Sequence, residues 1–301
     1  MESSYLLILL SIFVWSTQAF VTKIVVTGIG FFSVYVFASL FTAITAFAFY
    51  FVLNRKKIDF GFLMHPGRII LVSIFLTLAN FLLFSSFGMV PASNVIILLY
   101  IYPILMSILH SVIFKIRLTK REILGLSMGF IGVFLFATSG NPMSLHFSNP
   151  VVDIMIIIAA FSWAFYLVLQ KKYRFEEFSS NGVAFLLSTL YALPLIILVP
   201  TLLPHGLILP NLNVFMLLIY FSIVTFAIGN VAYVKGLKNT KVVNTALLTY
   251  LTPILAVILD YLVLGESIYW YDLLPLLFIF LGYFAIRWKK GQITPGVHEV
   301  T

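Results

Sequence analysis

The feature that most constrains the fold of this chain is a series of long, uncharged apolar runs that recurs from end to end. A helix needs roughly 20 apolar residues to cross the apolar core of a bilayer, and these runs have about that length. The sequence therefore predicts an all-α membrane protein with ten transmembrane helices. The predicted spans lie near 5–23, 30–53, 69–88, 92–114, 122–139, 151–170, 182–203, 212–235, 243–264 and 271–288.

Composition and spacing argue against other architectures. Apolar residues make up 62% of the chain and charged residues 9%, whereas a soluble domain carries roughly 25% charge. Strands of a membrane barrel are about half as long as these runs and alternate polar with apolar residues. Because the bilayer core holds no water, a helix that satisfies its own backbone is the remaining choice. The lipid bilayer is therefore a predicted partner.

The basic residues predict the orientation of the spans. Although the formal net charge is +8, Lys and Arg occur in short clusters between apolar runs, which argues against a nucleic-acid partner. The connections after odd-numbered spans carry no Lys or Arg beyond Lys23, at the end of span one. We therefore predict a multi-pass protein of the plasma (inner) membrane with both termini in the cytoplasm. The connections after even-numbered spans contain Arg55, Lys56, Lys57, Arg68, Lys115, Arg117, Lys120, Arg121, Lys171, Lys172, Arg174, Lys235, Lys238, Lys241, Arg287, Lys289 and Lys290.

The chain contains an internal repeat. Pro103 recurs as Pro253 (253 − 103 = 150), and Trp15 recurs as Trp163 (163 − 15 = 148). We predict a first five-helix repeat at 1–140, a linker at 141–150, a second repeat at 151–290 and a cytoplasmic tail at 291–301. Because five is odd, the second copy enters the membrane from the opposite side. Inverted repeats around a central cavity are characteristic of secondary transporters.

Several segments of the two halves resemble a known family. They are the tryptophan-to-lysine pattern of spans one and six, the stretch from Ala92-Ser93-Asn94 to Pro103, and its second copy from Val243-Asn244 to Leu264-Gly265-Glu266. These segments resemble the EamA-type domains of the drug/metabolite transporter superfamily, across nearly the whole chain. The resemblance implies ten helices and a cavity lined by spans one, three, four, six, eight and nine. It also implies export of amino acids and other metabolites, or exchange of nucleotide sugars and sugar phosphates. The first half departs from the pattern, because Lys115-Ile116 stand where the second has Gly265-Glu266.

Aromatic and amide side chains on two spans are the first candidates to contact cargo. Offsets of three, four and seven residues return to one side of a helix, so each span presents an aromatic ring beside an amide. The alternative is that these aromatic residues anchor the helices at the membrane interface or pack against neighbouring helices. The two faces consist of Trp15, Gln18 and Thr22, and of Trp163, Tyr166 and Gln170.

Asparagines inside spans form a second group. An amide in hydrocarbon finds a partner either on a neighbouring helix or in a wet cavity. Asn94 and Asn244 lie near span ends, where bonding to a neighbouring helix is the stronger interpretation. Asn80 and Asn230 lie deeper in spans three and eight, and we predict that they bind cargo.

Two prolines are predicted hinges or gates. Proline bends a helix and frees a carbonyl, although such a kink can also be purely architectural. Pro103 and Pro253 lie in spans that the family resemblance assigns to the cavity. Tyr102 and Tyr250, beside them, are further candidates for contact with cargo.

Ionisable residues inside spans are candidates for proton coupling. His110 and Asp260 are displaced by 150 positions (260 − 110 = 150), and Lys23 lies at the outer end of its span, within plausible reach of Asp260. The alternative is that Asp260 reaches interfacial water and has no role.

Small residues on span five predict close helix packing. Gly125, Gly129 and Gly132 share this span, and the packing they allow could occur within a monomer or across a homodimer.

The function that fits best is secondary active or facilitative transport by alternating access. An intramembrane enzyme would need paired aspartates, a Ser–His pair or a His-Glu-x-x-His motif, and a channel would need a polar ring. We predict an exporter of small organic metabolites, with amino acids or related compounds first. The alternative is a nucleotide, nucleotide-sugar or cofactor exchanger, but phosphate would require deep Arg or Lys. Because the chain has no cysteine, thiolate metal sites are excluded, and no metal or cofactor is predicted.

Overall fold

The protein is helical, as the apolar runs predict. A computed structural model describes residues 2–53, 65–86, 89–90, 92–144, 149–198, 207–264 and 274–287. Throughout these ranges the chain forms no β-strand. The helices are α1 (Glu2–Ser16), α2 (Gln18–Leu53), α3 (Pro66–Ser86), α4 (Ala92–Leu99), α5 (Tyr102–Phe114), α6 (Lys120–Ala137), α7 (Pro150–Tyr173), α8 (Glu177–Leu198), α9 (Leu212–Tyr220), α10 (Asn230–Lys238), α11 (Val242–Thr249), α12 (Leu251–Leu264) and α13 (Leu274–Arg287).

Helix occupies part of every predicted span. Within the described residues, six helical segments are long and apolar enough to cross a membrane, and two shorter apolar helices lie at Glu2–Ser16 and Leu276–Ile286. Large apolar side chains also remain exposed on the outside, as a multi-pass membrane protein requires. The arrangement of ten spans in two inverted repeats stays a prediction. The six segments are Ile24–Val52, Pro66–Ser86, Asn94–Phe114, Pro150–Tyr173, Leu212–Lys238 and Val242–Leu259.

Local side chains explain where several helices begin. Thr119 and Glu122 form a reciprocal capping box at the start of α6, in which the Glu122 carboxylate accepts from the Thr119 backbone N–H at 2.8 Å. Asn149 accepts from the Val152 N–H at 3.4 Å and begins α7. Helix starts that the apolar windows placed only approximately are thus fixed by polar residues at their edges.

The first span differs from its predicted window. The predicted span 5–23 is interrupted, because α1 ends at Ser16, Thr17 forms a turn and α2 begins at Gln18. Span two begins where it was predicted, because Gly30, with a φ of 75° and a ψ of 156°, breaks α2 into two helices at the first residue of the window 30–53. The predicted connection at 24–29 is itself helical. Glycine adopts this positive φ without a side-chain clash, which explains why the helix breaks at this residue.

Both predicted proline kinks are present. The helix breaks at Tyr100 and Ile101, ahead of Pro103, and again at Tyr250, ahead of Pro253. Around the second break, the Thr252 hydroxyl donates to the Thr249 carbonyl at 2.8 Å. Proline removes the backbone donor that would normally reach that carbonyl, so the neighbouring hydroxyl supplies the missing bond.

Span eight is not the plain α-helix that its apolar run predicts. Between α9 and α10, Phe221–Gly229 form a π-helical segment nine residues long. Such i→i+5 hydrogen bonding is rare and occurs frequently at functional sites. The wider helix faces α1 and α2.

The most extensive helix contacts join the two halves of the chain. They pair α1 with α10, α2 with α8, α3 with both α7 and α8, and α6 with α13. The interior between the halves is lined by large buried side chains, including Tyr166 and Tyr233. Any site formed by both halves therefore lies at this interface.

Glycines of span five serve contacts within one chain. A Cβ at Gly125 would lie 2.8 Å from the Gly282 carbonyl oxygen, and one at Gly129 would lie 2.4 Å from a carbon of the Tyr250 ring. The small residues thus let α6 approach α13 and α11 closely. This assigns Gly125 and Gly129 to monomer packing, one of the two alternatives that the sequence left open.

Candidate functional site

An aromatic cluster lies where α1 of the first half meets α7 and α10 of the second. Its members are Trp15, Trp163, Tyr166 and Tyr233. The ring centroids of Trp15 and Trp163 are 5.9 Å apart in an edge-to-face arrangement, and those of Trp163 and Tyr166 are 5.3 Å apart. Tyr233 lies 4.7 Å from Trp15. Two tryptophans that the repeat relates thus come together at the interface between the halves.

The π-helical segment positions one ring of this cluster. Trp15 Nε1 donates to the Thr225 carbonyl at 3.3 Å. A Cβ on Gly229 would lie 3.1 Å from the same nitrogen, so a larger residue there would crowd the indole. The segment therefore supplies both an acceptor and the space that Trp15 occupies.

An amide network adjoins the aromatic cluster. It consists of Tyr166, Gln170, Asn181 and Asn230. Asn230 Nδ2 donates to the Tyr166 hydroxyl at 2.9 Å and to Asn181 Oδ1 at 2.7 Å. Gln170 Nε2 donates to the same hydroxyl at 3.3 Å. Three helices, α7, α8 and α10, are joined by uncharged hydrogen bonds, which fixes the positions of these side chains.

Some buried polar atoms at the interface lack partners. Asn230 Oδ1 and Asn80 Nδ2 have no hydrogen-bond partner among the residues that the structure describes. An unsatisfied buried polar group costs about 1–3 kcal/mol, so such atoms call for a functional explanation. The pair offers one free acceptor and one free donor. Four hydroxyls in the described part of the chain share this condition, those of Thr22, Ser162, Thr225 and Tyr250.

A second aromatic group lies at the two proline breaks. Ring centroids of Tyr100 and Tyr102 are 6.1 Å apart, and those of Tyr100 and Tyr250 are 6.4 Å apart. The Tyr233 hydroxyl is 3.0 Å from the Thr249 hydroxyl, which connects the aromatic cluster to this group. Tyr102 and Tyr250 are thus near the breaks, while the Tyr250 ring packs against Gly129 of α6.

The predicted polar face of span one is not continuous. Trp15 belongs to α1, whereas Gln18 is the first, half-buried residue of α2. The turn at Thr17 separates them, so the two residues do not share the one continuous helix on which the predicted face depends. On span six, Trp163, Tyr166 and Gln170 do lie on one unbroken helix, as predicted.

Of the three candidates for proton coupling, the structure describes the side chain of one, His110. His110 is half-buried, with its ring 4.5 Å from that of Phe114. Lys23 lies in α2 and Asp260 in α12, and the side chains of both lie outside the described part of the structure.

Lysines connect the ends of the second-half helices. Lys171 Nζ donates to the Leu237 carbonyl at 2.9 Å and to the Thr240 carbonyl at 2.7 Å. Lys238 pairs with the Glu177 carboxylate at 2.9 Å. We call Lys171, Lys238 and these partners the lysine latch. It ties the C-terminal ends of α7 and α10 to each other and to the start of α8. The positive charge of lysine is favourable at the C-terminal end of a helix, where the helix dipole is negative.

Two site residues escaped prediction. Asn181 lies one residue before the predicted window 182–203, because α8 begins earlier, at Glu177. The signal was Glu176, whose carboxylate accepts from the backbone N–H groups of Phe178 and Ser179 and so starts the helix. Tyr233 has no aromatic counterpart at position 83, although it follows Asn230 by three residues on the same helical face.

Comparison with known proteins agrees with this architecture. The model of the EamA-like transporter family matches residues 2–138 and 151–288. The chain belongs to the EamA-like transporter family. Among the described residues of this EamA-like transporter, no group of three His, Asp or Glu side chains could hold a metal ion.

Relatives of this EamA-like transporter occur in bacteria and archaea. An uncharacterized transporter of Clostridium kluyveri is 27% identical over 56% of this chain and 55% of its own length. An uncharacterized transporter of Acidianus ambivalens is 28% identical over 64% of this chain and 72% of its own length. The uncharacterized transporter YyaM of Bacillus subtilis is 23% identical over 67% of each chain. The match thus spans about half the length of the first of these relatives.

A solved crystal structure shares the fold. It superposes with a TM-score of 0.79 over 95% of this chain and 97% of that chain, at 17% sequence identity. The likeness supports the fold of this EamA-like transporter across nearly its full length.

Proposed function

We propose that this membrane transporter exports amino acids or related small organic metabolites by alternating access at the interface between its halves. The observation that carries the proposal is an uncharged aromatic cluster that adjoins Asn230, whose Oδ1 has no partner among the described residues. Asn80 Nδ2, on α3, is a second such amide atom. We infer that these atoms and rings contact cargo and that Trp15 and Trp163 cover its apolar part.

The chemistry of an amino acid fits these groups. Its carboxylate accepts hydrogen bonds and its ammonium group donates them, so each end satisfies one of the two free amide atoms. A cation also binds favourably over the face of a tryptophan. Gln170 and Tyr166 hold the amide of Asn230 in place, which leaves its oxygen available to a ligand.

The alternative cargo, a nucleotide or nucleotide sugar, fits less well. Phosphate groups favour Arg or several Lys, which supply charge and multiple donors. The aromatic cluster and the amide network contain only uncharged residues. Lys171, one turn from Tyr166, already donates to two backbone carbonyls.

Alternating access needs gates and hinges. We infer that the lysine latch closes the cytoplasmic end between α7, α8 and α10, because its bonds join all three. The breaks before Pro103 and Pro253 are the proposed hinges. His110, Asp260 and Lys23 remain the proposed coupling residues, and a monomer or homodimer in the inner membrane with cytoplasmic termini is the proposed form.

Counterflow in proteoliposomes tests this function. Liposomes that contain the purified protein and a high internal concentration of an unlabelled amino acid are exposed to the same compound in labelled form. We expect saturable uptake of label, recovered chemically unchanged, and none in protein-free liposomes. Uptake that nucleotide sugars drive and amino acids do not would replace the cargo assignment, and non-saturable uptake would favour a channel.

A matched variant tests the site. Trp163→Ala removes one ring of the aromatic cluster, and we expect a lower apparent affinity for cargo. Phe280→Ala, on an exposed part of α13, is the control and should transport like the parent.

A further inference from the structure

Asp153 is a buried carboxylate outside the aromatic cluster and the amide network. It lies in the first turns of α7 and is 7% exposed. Neither of its carboxylate oxygens has a hydrogen-bond partner among the described residues. An ionised carboxylate removed from water without a partner is far more costly than a neutral polar group in the same place. Among the described residues, therefore, no hydrogen bond offsets the charge of this side chain.

The start of α7 does not satisfy the carboxylate. Pro150 has no backbone N–H, the Val152 N–H donates to Asn149 Oδ1 at 3.4 Å, and the Asp153 N–H donates to the Asn149 carbonyl at 3.0 Å. The helix dipole favours a nearby negative charge by about 0.3–1 kcal/mol, which is small beside the cost of burying an unpaired charge. The side chain is thus not explained as a helix cap.

Basic side chains of the surrounding helices lie far from Asp153. Tyr173 follows it by 20 residues on α7 (173 − 153 = 20), which corresponds to about 30 Å, and Arg68 lies over the Tyr173 ring. Lys238 pairs with Glu177, beyond that same end of α7. The charged or titratable groups on α3, α4, α5 and α10, which pack against α7, are Arg68, Tyr102, His110, Tyr233, Lys235 and Lys238.

Two of the remaining titratable groups, Tyr233 and His110, lie toward the middle or the opposite end of α7. Tyr233 contacts Trp15, which contacts Trp163, ten residues beyond Asp153 on α7 and so about 15 Å from it (163 − 153 = 10). His110 lies against Phe114, at the end of α5 that leads to Lys115.

The repeat provides an independent contrast. The displacement of 148 positions that relates Trp15 to Trp163 also relates Tyr5 to Asp153 (153 − 148 = 5). The Tyr5 hydroxyl accepts a hydrogen bond from Asn244 Nδ2 at 3.0 Å. One half thus has a neutral, partnered hydroxyl where the other has a carboxylate whose oxygens lack partners in the described residues.

We propose that the Asp153 carboxylate binds an organic ammonium group, whose positive charge the described residues do not supply. An ammonium group donates hydrogen bonds to the carboxylate oxygens and neutralises them. The binding of an ammonium group at Asp153 does not depend on the proposed function. Only the further step, that this ammonium group belongs to the cargo, rests on it.

Thermal unfolding in lipid nanodiscs tests this binding without any transport. The probes are butylammonium chloride and, as the uncharged counterpart, butanol. A ligand that binds only the folded state raises the apparent melting temperature. We expect butylammonium to raise it by at least about 2 °C more than butanol does. Asp153→Asn should abolish that difference, and Asp153→Glu should retain it. Glu122→Gln, which removes an acid from the start of α6 but can still cap it, is the control for this measurement.

The outcomes decide the proposal. A butylammonium effect that the parent shows and Asp153→Asn lacks supports it. A parent without a butylammonium effect, or an Asp153→Asn variant that keeps the effect, overturns it. None of these results depends on whether the protein transports amino acids.

Discussion

Asn80 and Asn230 occupy repeat-related positions but have different surroundings. Asn230 Nδ2 donates to two side chains, whereas Asn80 Nδ2 has no acceptor in the described residues. A residue that donates hydrogen bonds to its neighbours stabilises the fold. A residue with a buried donor that has no acceptor lowers stability unless a ligand accepts that hydrogen bond. Their hydrogen bonds therefore distinguish two roles that the repeat alone treats as one.

Alanine substitutions should separate these roles. Asn230→Ala leaves Asn181 Oδ1 without its donor and removes one of the two donors to the Tyr166 hydroxyl, and we expect a loss of about 1–3 kcal/mol in unfolding free energy. Asn80→Ala removes an unused donor, and we expect nearly unchanged stability with a weaker affinity for cargo. Thermal unfolding and counterflow, measured on both variants, check this. Equal destabilisation by the two substitutions would argue that both amides only join helices.

At the scale of helices, the contact between α6 and α13 depends on glycine. A Cβ on Gly282 would lie 2.6 Å from the Gly125 carbonyl oxygen, a backbone atom that cannot rotate away. Gly282→Ala should therefore destabilise the protein by about 1–3 kcal/mol through overpacking. This outweighs the roughly 0.5–1 kcal/mol that alanine gains over glycine within a helix.

Gly67→Ala is the matched control for this substitution. Gly67 is also helical, yet nothing lies within 4 Å of the position of its Cβ. We expect unchanged or slightly higher stability in thermal unfolding. A Gly282→Ala variant as stable as Gly67→Ala would contradict the close approach of α6 and α13.

The break before Pro253 should act on rate more than on binding. Pro253→Ala restores a backbone donor for the Thr249 carbonyl, now bonded by Thr252, and so favours a continuous helix. If this break is a hinge, transport should slow while the affinity for cargo stays within about twofold, since rate and binding respond to different steps. Counterflow at several cargo concentrations measures both. A change in affinity alone would indicate that the break only shapes the site.

The same helices show what could be predicted from sequence. Apolar length predicts the spans because the bilayer imposes it, and Pro103 and Pro253 predict the breaks because proline lacks a donor. The turn at Thr17 and the π-helical segment 221–229 could not be predicted from a residue type such as proline. Their hydrogen bonding depends on how α1 packs against α10 and against the π-helical segment. The site residues likewise include some that the sequence predicts and some that depend on packing. Trp15 and Trp163 were predicted from the repeat, whereas Asn181 depended on where α8 begins.

At the scale of the whole molecule, the lysine latch joins elements distant in sequence. Lys171→Gln removes the charge that bonds the carbonyls of Leu237 and Thr240. If the latch closes the cytoplasmic end, a cysteine placed at Ser180, a buried residue of α8, should react faster with a water-soluble maleimide in the Lys171→Gln background. Lys172→Gln, at the exposed neighbouring position, should leave that rate unchanged. Equal rates in all three backgrounds would show that the latch does not limit access.

The orientation of the ten predicted spans governs every statement about inside and outside. Because the chain has no cysteine, single cysteines at exposed positions report topology directly. Basic connections favour the cytoplasm, so labels at Lys120 and Lys172 should require a reagent that crosses the membrane. Labels at Met143 and Asn211, which lie in connections without Lys or Arg, should react with an impermeant maleimide on intact cells. Reaction of Lys120 and Met143 from the same side would mean that α6, which lies between them, does not cross the membrane. The inverted relation between the halves would then fail, because it requires an odd number of crossings between equivalent residues.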